Sequence, residues 1–243
     1  MRKGFHEPAE KPRRFYKSVE AVEDDGGFGI ALDSRRLRTP KGLPLVLPTR
    51  ALADEIAGEW AAQGETIEMA QMHATRLANT AIESVPQARE ATADSVANFA
   101  GSDLLCYFAE DPQSLLQRQQ AAWEPVLQRA EAELGLSFVR AAGIVHQAQP
   151  EASIEKVRAL ATSLDDFALA GLAFCVALYG SAVLGLAVQR GWLTGEEAFD
   201  LSRLDETFQE EKWGVDEEAA ERTARMRIEA QMLDRWFKAL VAA

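Results

Sequence analysis

Residues 167–188 read FALAGLAFCVALYGSAVLGLAV, and nothing else in the chain is as long or as apolar. The run carries no charge; Asp165 and Asp166 stand just before it, Arg190 and Gly191 just after. Acids at the start and a base at the end suit a helix dipole, and a glycine after the last turn suits a left-handed cap. Read as one helix, Phe167 to Val188 spans roughly 33 Å at about 1.5 Å per residue. A helix apolar on every side has to be buried, in protein or in lipid. About 20 apolar residues are enough to cross a bilayer. The Ala and Gly content, Tyr179 and Ser181 in mid-run, and the lack of a flanking Lys/Arg cluster favour burial in protein. Gly171, Ala173, Gly180, Ser181 and Gly185 then make the small-residue face where other helices cross. No membrane insertion is expected.

Around this run lie 243 residues, 47% hydrophobic and 26% charged, which is ordinary for a globular chain with a substantial core. The net charge of −12 disfavours nucleic acid as a partner, because phosphate contacts need a basic face. The charge is uneven. Residues 1–50 hold 11 Lys+Arg against 7 Asp+Glu, a net of +4, whereas residues 191–220 hold 2 against 10, a net of −8. Such asymmetry steers a partner or is simply solvated surface. Cys106 and Cys175 both sit in apolar runs and read as buried free thiols of a reducing compartment. The opening residues MRKGFHEPAEKPRRF have no apolar core of a secretory signal and are too acidic for a transit peptide.

Toward the N-terminus the chain reads as a flexible arm over residues 1–12. Short extended runs follow at Phe15–Val22, Phe28–Leu32, Arg35–Thr39 and Leu43–Leu47, separated by Gly-, Asp- and Pro-rich turns. Thr49 caps a helix through Gln63 with Leu52, Ile56 and Trp60 on one stripe. Met72–Ile82 and Gln87–Ala100 are helical, and LLCYFA at 104–109 is a strand or a buried helical turn. A helix from Asp111-Pro112 turns Leu115, Leu116, Trp123 and Leu127 inward and is expected to kink or divide at Pro125. Pro150–Ser163 is amphipathic, with Ile154, Val157 and Leu160 inward. Beyond the apolar run, Thr194 and Glu197 form a capping box for a helix with the stripe Leu201, Leu204, Phe208, which Gly214 ends. Asp216 opens a last helix with Ile228, Met232, Trp236 and Leu240 inward. The fold class is therefore α+β: a small β-rich N-terminal domain (13–85, with one or two helices) followed by a larger all-helical C-terminal domain (86–243).

No chemistry-bearing constellation appears. His6, His73 and His146 are far apart and lack partners at metal-ligand spacing. There is no phosphate-cradling loop, and Gly27-Phe28-Gly29 lacks the third glycine of a dinucleotide fingerprint. Catalytic residues, metal ligands and cofactors are expected to be none.

The remaining signal is Leu201–Gly214, LSRLDETFQEEKWG. Asp205 lies at the edge of the apolar stripe, with Gln209 one turn on, and Glu206 and Glu210 turned further toward water. A carboxylate at an apolar boundary needs a partner. One reading is an internal salt bridge to an arginine of the final helix; the other is an acceptor for a basic group on another protein. Physics alone favours the first.

Three blocks together carry a resemblance: RRFYKSVEAVEDDGGFGIALDSRRLRTPKGLPLVLPT, EWAAQGETIEMAQMHATRLANTAIE and LSRLDETFQEEKWG. From Arg14 to Gly214 the chain resembles the assembly chaperone family for the α subunit of the F-type ATP synthase head. The resemblance implies a small β-rich domain and a helical domain, no catalysis, and a partner, the unassembled α subunit, held until a β subunit replaces the chaperone. Members of the family occur in mitochondria and in some bacteria; without a transit peptide, the bacterial cytoplasm is expected here (the mitochondrial matrix in a eukaryote), and the protein is expected to be a monomer. The family's acidic position falls on Asp205 or Glu206, where related chains tend to have Glu at the first. The expected partner-binding residues are Asp205, Glu206, Gln209, Glu210 and Trp213, with Trp60 and Gly214 structural. A small-molecule enzyme or ligand-binding protein with a carboxylate-lined helical site is the alternative.

Overall fold

The computed structural model describes residues 11–242. Residues 1–10 of the expected arm lie outside the described residues; Lys11 pairs with Glu68 at 2.7 Å, and the Pro12 carbonyl accepts from the Ile67 N–H. Strands β1 (Val19–Asp24), β2 (Gly27–Leu32) and β3 (Arg35–Arg36) form an antiparallel sheet in the order β1-β2-β3. The β1–β2 turn needs Gly26 at φ +83°, a conformation that costs glycine little. The extended run at 43–47 adds single bridges, Leu47 to Phe28 and Pro44 to Arg38, rather than a full strand. Helix α1 (Arg50–Ala61) opens on Thr49, whose side chain accepts from the Leu52 N–H at 3.1 Å. Its face of Leu52, Ala53, Ile56 and Trp60 is buried, and the helix lies against β1 and β2.

The helical body follows: α2 (His73–Glu83), α3 (Val85–Ala100), α4 (Gln113–Leu134), α5 (Glu151–Thr162), α6 (Asp166–Tyr179), α7 (Ala182–Gln189), α8 (Gly195–Ser202), α9 (Leu204–Trp213) and α10 (Glu217–Val241). LLCYFA resolves into both of its readings. Leu104–Cys106 is a buried 3-10 turn, and Tyr107–Phe108 is a strand, β4, paired in parallel with β5 (Ala141–Ala142). Helix α6 is the hub, touching α2, α3, α5, α7, α8 and α10. Gly171 allows this closeness: a Cβ there would meet the Trp236 indole at 2.8 Å. Trp236 in turn donates from Nε1 to the Phe167 carbonyl at 3.1 Å.

Four expectations change. The apolar run is two helices, not one. Gly180 adopts φ +66° and ends α6, and Ser181 caps α7 by accepting from the Leu184 N–H at 3.0 Å. The break is held by Asp103, fully buried, which accepts from Ser181 Oγ at 2.7 Å and the Val183 N–H at 3.0 Å. No described helix is long and apolar enough to cross a membrane. The helix after Thr194 also breaks, at Arg203, into α8 and α9. Its capping box is formed as read from the sequence. Helix α4 continues through Pro125, so of the two expected outcomes division is the one that does not occur. Ile228 is 51% exposed, because the buried residues of α10 begin only at Ala230.

Candidate functional site

Leu204 and Phe208 are the buried residues of α9, and they fix its rotation against the body. That rotation sets Asp205 half-buried beside α4, where its Oδ1 accepts from Gln119 Nε2 at 2.7 Å. Gln119 is fully buried, and its Oε1 accepts from the Ala109 N–H at 2.7 Å. One amide thus links the end of β4 to the carboxylate of α9. Burial pushes the Asp205 carboxyl above its ordinary range; the Gln119 bond opposes this and the nearby Glu206 charge adds to it. The anticipated salt bridge from the final helix does not form. Arg227 of α10 pairs instead with Asp200 at 2.7 Å and with Glu196 at 3.7 Å, and the partner of Asp205 is an amide.

The other α9 residues divide. Glu206 and Gln209 are exposed, Glu206 with only a 3.9 Å approach to Arg203. Glu210 is not turned outward as expected. It is half-buried and meets Arg203 Nη2 at 3.2 Å, because the α8–α9 break places that arginine over it. Glu211 binds Arg118 of α4 at 2.7 Å, which holds its carboxyl below the ordinary range. Trp213 is 78% exposed, at the helix end that Gly214 closes with φ +87°. Tryptophan is among the side chains most enriched at the centres of protein–protein contacts. Trp60 stands apart, in the core between α1 and the sheet. Tyr16 donates to its carbonyl at 2.7 Å, and its own Nε1 is buried with no hydrogen-bond partner among the described residues.

Gln119 is the site residue that motif reading missed. Its signal was present: Leu115, Gln119 and Trp123 share one stripe at i, i+4, i+8, and an amide on a buried stripe needs polar company. Elsewhere, a groove of about 560 Å³ runs between α2, α3 and α6 past Pro40. Leu77, Val85, Ala173 and Phe174 line it together with His73 and Arg76, and no carboxylate does. The carboxylate-lined helical site of the alternative reading is therefore not what this groove offers. Among the described residues no three His, Cys, Asp or Glu side chains converge as metal ligands.

A helical body on a small sheet, with an acidic outer helix, a held carboxylate and an exposed Trp, has the make-up of a protein-binding chaperone. The family model that matches residues 13–131 is described as ATP12 chaperone protein. The crystal structure of Atp12 from Paracoccus denitrificans is 41% identical, with a TM-score of 0.88, over 94% of this chain and 98% of that one. The Atu1473 protein of Agrobacterium tumefaciens is 42% identical, with a TM-score of 0.89, over 94% of this chain and 86% of that one. The mitochondrial protein atp12 of Schizosaccharomyces pombe is 28% identical over 86% of this chain and 76% of its own length. The chain belongs to the ATP12 chaperone family.

Proposed function

We propose that this protein is a non-catalytic assembly chaperone that binds the unassembled α subunit of the F-type ATP synthase catalytic sector and shields its interface until the β subunit replaces it. Family membership supports the class. The observation that carries the site is Asp205, held half-buried by Gln119 beside exposed Glu206, Gln209 and Trp213. An unpartnered subunit exposes apolar surface that aggregates. A holder needs modest affinity, an aromatic anchor and charges that set register and speed encounter. The net charge of −8 over residues 191–220 suits arginine or lysine on the held face. Glu206 and Glu210 would form the rim, Glu210 through its pairing with Arg203.

The test is co-purification with separately expressed α and β subunits. Capture of α, no capture of β, and release of α when β is added are expected. Failure to retain α, or equal retention of both, rejects the reading.

A further inference from the structure

The loop between β5 and α5 presents apolar side chains to water and is built to keep them there. Ile144 is 98% exposed and Val145 69%, with Val139 43% exposed at the base. Three attachments fix the loop beneath these side chains. The neck is closed by buried Gln149, whose Oε1 accepts from the Val139 N–H at 2.8 Å while its Nε2 donates to the Val139 carbonyl at 2.9 Å. One flank is fixed where the Gly143 N–H donates to the Phe108 carbonyl at 2.8 Å. The other is fixed by the Tyr107 hydroxyl and His146 Nδ1, 3.2 Å apart.

The flank bond leads to the α9 carboxylate. Phe108 accepts from Gly143; the next residue, Ala109, donates to Gln119; Gln119 donates to Asp205. The apolar tip and the carboxylate are therefore linked by one strand and one amide through consecutive hydrogen bonds. At the foot of the tip stands Glu110, whose carboxyl is about 3.1 Å from where a Cβ on Gly143 would be. Neither Glu110 nor Asp205 pairs with a cation among the described residues, whereas Glu210 and Glu211 do. The surface thus offers an apolar prong beside uncompensated negative charge.

We infer that Ile144–Val145 and Asp205, joined through Gly143, Phe108, Ala109 and Gln119, form one bipartite docking surface for a face of the unassembled α subunit that sets a basic side chain beside an apolar recess. The inference rests on the α-subunit reading and adds to it a second contact and the register between the two. Gln119 is then a positioning residue: it aims the carboxylate and ties it to the prong.

The chain's own thiols make a direct test possible. Cys106 and Cys175 are fully buried and burial pushes both thiols up, so neither competes for a maleimide. Ile144→Cys and Val241→Cys place single reactive thiols at the prong and at a remote exposed apolar position, Val241 being 84% exposed. Each is labelled with a water-soluble maleimide, with and without saturating purified α subunit, and followed by the intact mass of this chain. A contact that excludes water should slow labelling at 144 by roughly tenfold or more, with little change at 241. In parallel, Ile144→Asp should weaken capture roughly tenfold at an unchanged melting temperature.

Equal labelling at 144 with and without α, while Asp205→Lys abolishes capture, would overturn this surface and leave the α-subunit reading standing. Equal protection at 144 and 241 would also overturn it, as general shielding. If the unmodified protein fails to capture α, the functional reading falls first and this surface falls with it.

Discussion

Asp103 and Asp205 are both carboxylates that burial pushes upward, and the fold treats them differently. Asp103 is fully buried, and its carboxyl is raised to about 6. Both of its oxygens are occupied: Oδ1 accepts from the Leu105 N–H and Ser181 Oγ, and Oδ2 from the Val183 N–H. All three donors belong to the break between α6 and α7 or to the turn packed on it, so this acid serves the fold. Asp205 is half-buried and has one oxygen held by one amide, with Oδ2 taking no hydrogen bond from the described residues. Desolvation without full satisfaction leaves capacity for a further donor. The contrast separates a fully satisfied carboxylate from one with an oxygen left over, and residue type alone does not reveal it.

The largest expected effect tests the structural half. Asp103→Ala orphans a hydroxyl and two backbone N–H groups in the core, and the lost network should destabilise by roughly 3–5 kcal/mol. Denaturant unfolding at about pH 4, where the carboxyl's contribution is fully present, measures it, and a loss below about 1 kcal/mol there would mean the break holds without its carboxylate. The next effect belongs to the other half. Asp205→Lys should leave the melting temperature within a few degrees while α-subunit capture weakens by about 2–5 kcal/mol if the contact is desolvated. A thermal melt beside a pull-down separates the two, and unfolding with loss of capture would make Asp205 structural like Asp103.

The raised pKa sharpens the comparison through pH. An acid with a folded pKa above its unfolded value holds protons more tightly when folded. Its contribution is present below the unfolded value of 3.8 and is lost as pH rises through about 6. The stability difference between the wild type and Asp103→Ala should therefore shrink as pH rises from about 4 to about 6. The change should be on the order of 3 kcal/mol at 1.36 kcal/mol per unit. A flat difference across that window would show that the N–H and hydroxyl donors fully offset burial. The smallest effect is expected from Glu206→Lys. An exposed charge paired only distantly with Arg203 should change stability by less than about 1 kcal/mol and slow capture mainly at low salt.

Much of the fold was legible because local rules dominate it. Thr49, Thr194, Asp165 and Asp216 cap the helices they precede, each with its side chain accepting from backbone N–H groups. The apolar run is buried as its composition requires. Its division was also written locally, in Gly180-Ser181, a left-handed helix end followed by a cap. What hid the division was uniform hydrophobicity on both sides, which carries no phase to show a change of axis. Arg203 ends α8 with no Gly or Pro to mark it, and the Leu201/Leu204/Phe208 spacing continues across the break.

The candidate site was half legible. The carboxylate was found from its place at an apolar edge, and the resemblance pointed to the same helix. Its partner was not found, because Gln119 lies 86 positions away along the chain. The prong was not found either: Ile144 and Val145 lie in a short run, Phe138–Val145, whose apolar residues follow neither a helical nor a strand period.

By itself the sequence determined the α+β class, most of the helix starts, the buried central run and the acidic stretch at 191–220. These follow from residue type and short-range spacing, through capping, periodicity and charge. Tertiary structure alone decided that Asp103 would be satisfied and Asp205 left with an oxygen to spare, that Gln119 would bridge β4 to α9, and that Gln149 would close the loop from which Ile144 projects. Those outcomes depend on which donors arrive from distant segments when the helices pack, and no local pattern encodes the distance between residues that meet only across the core.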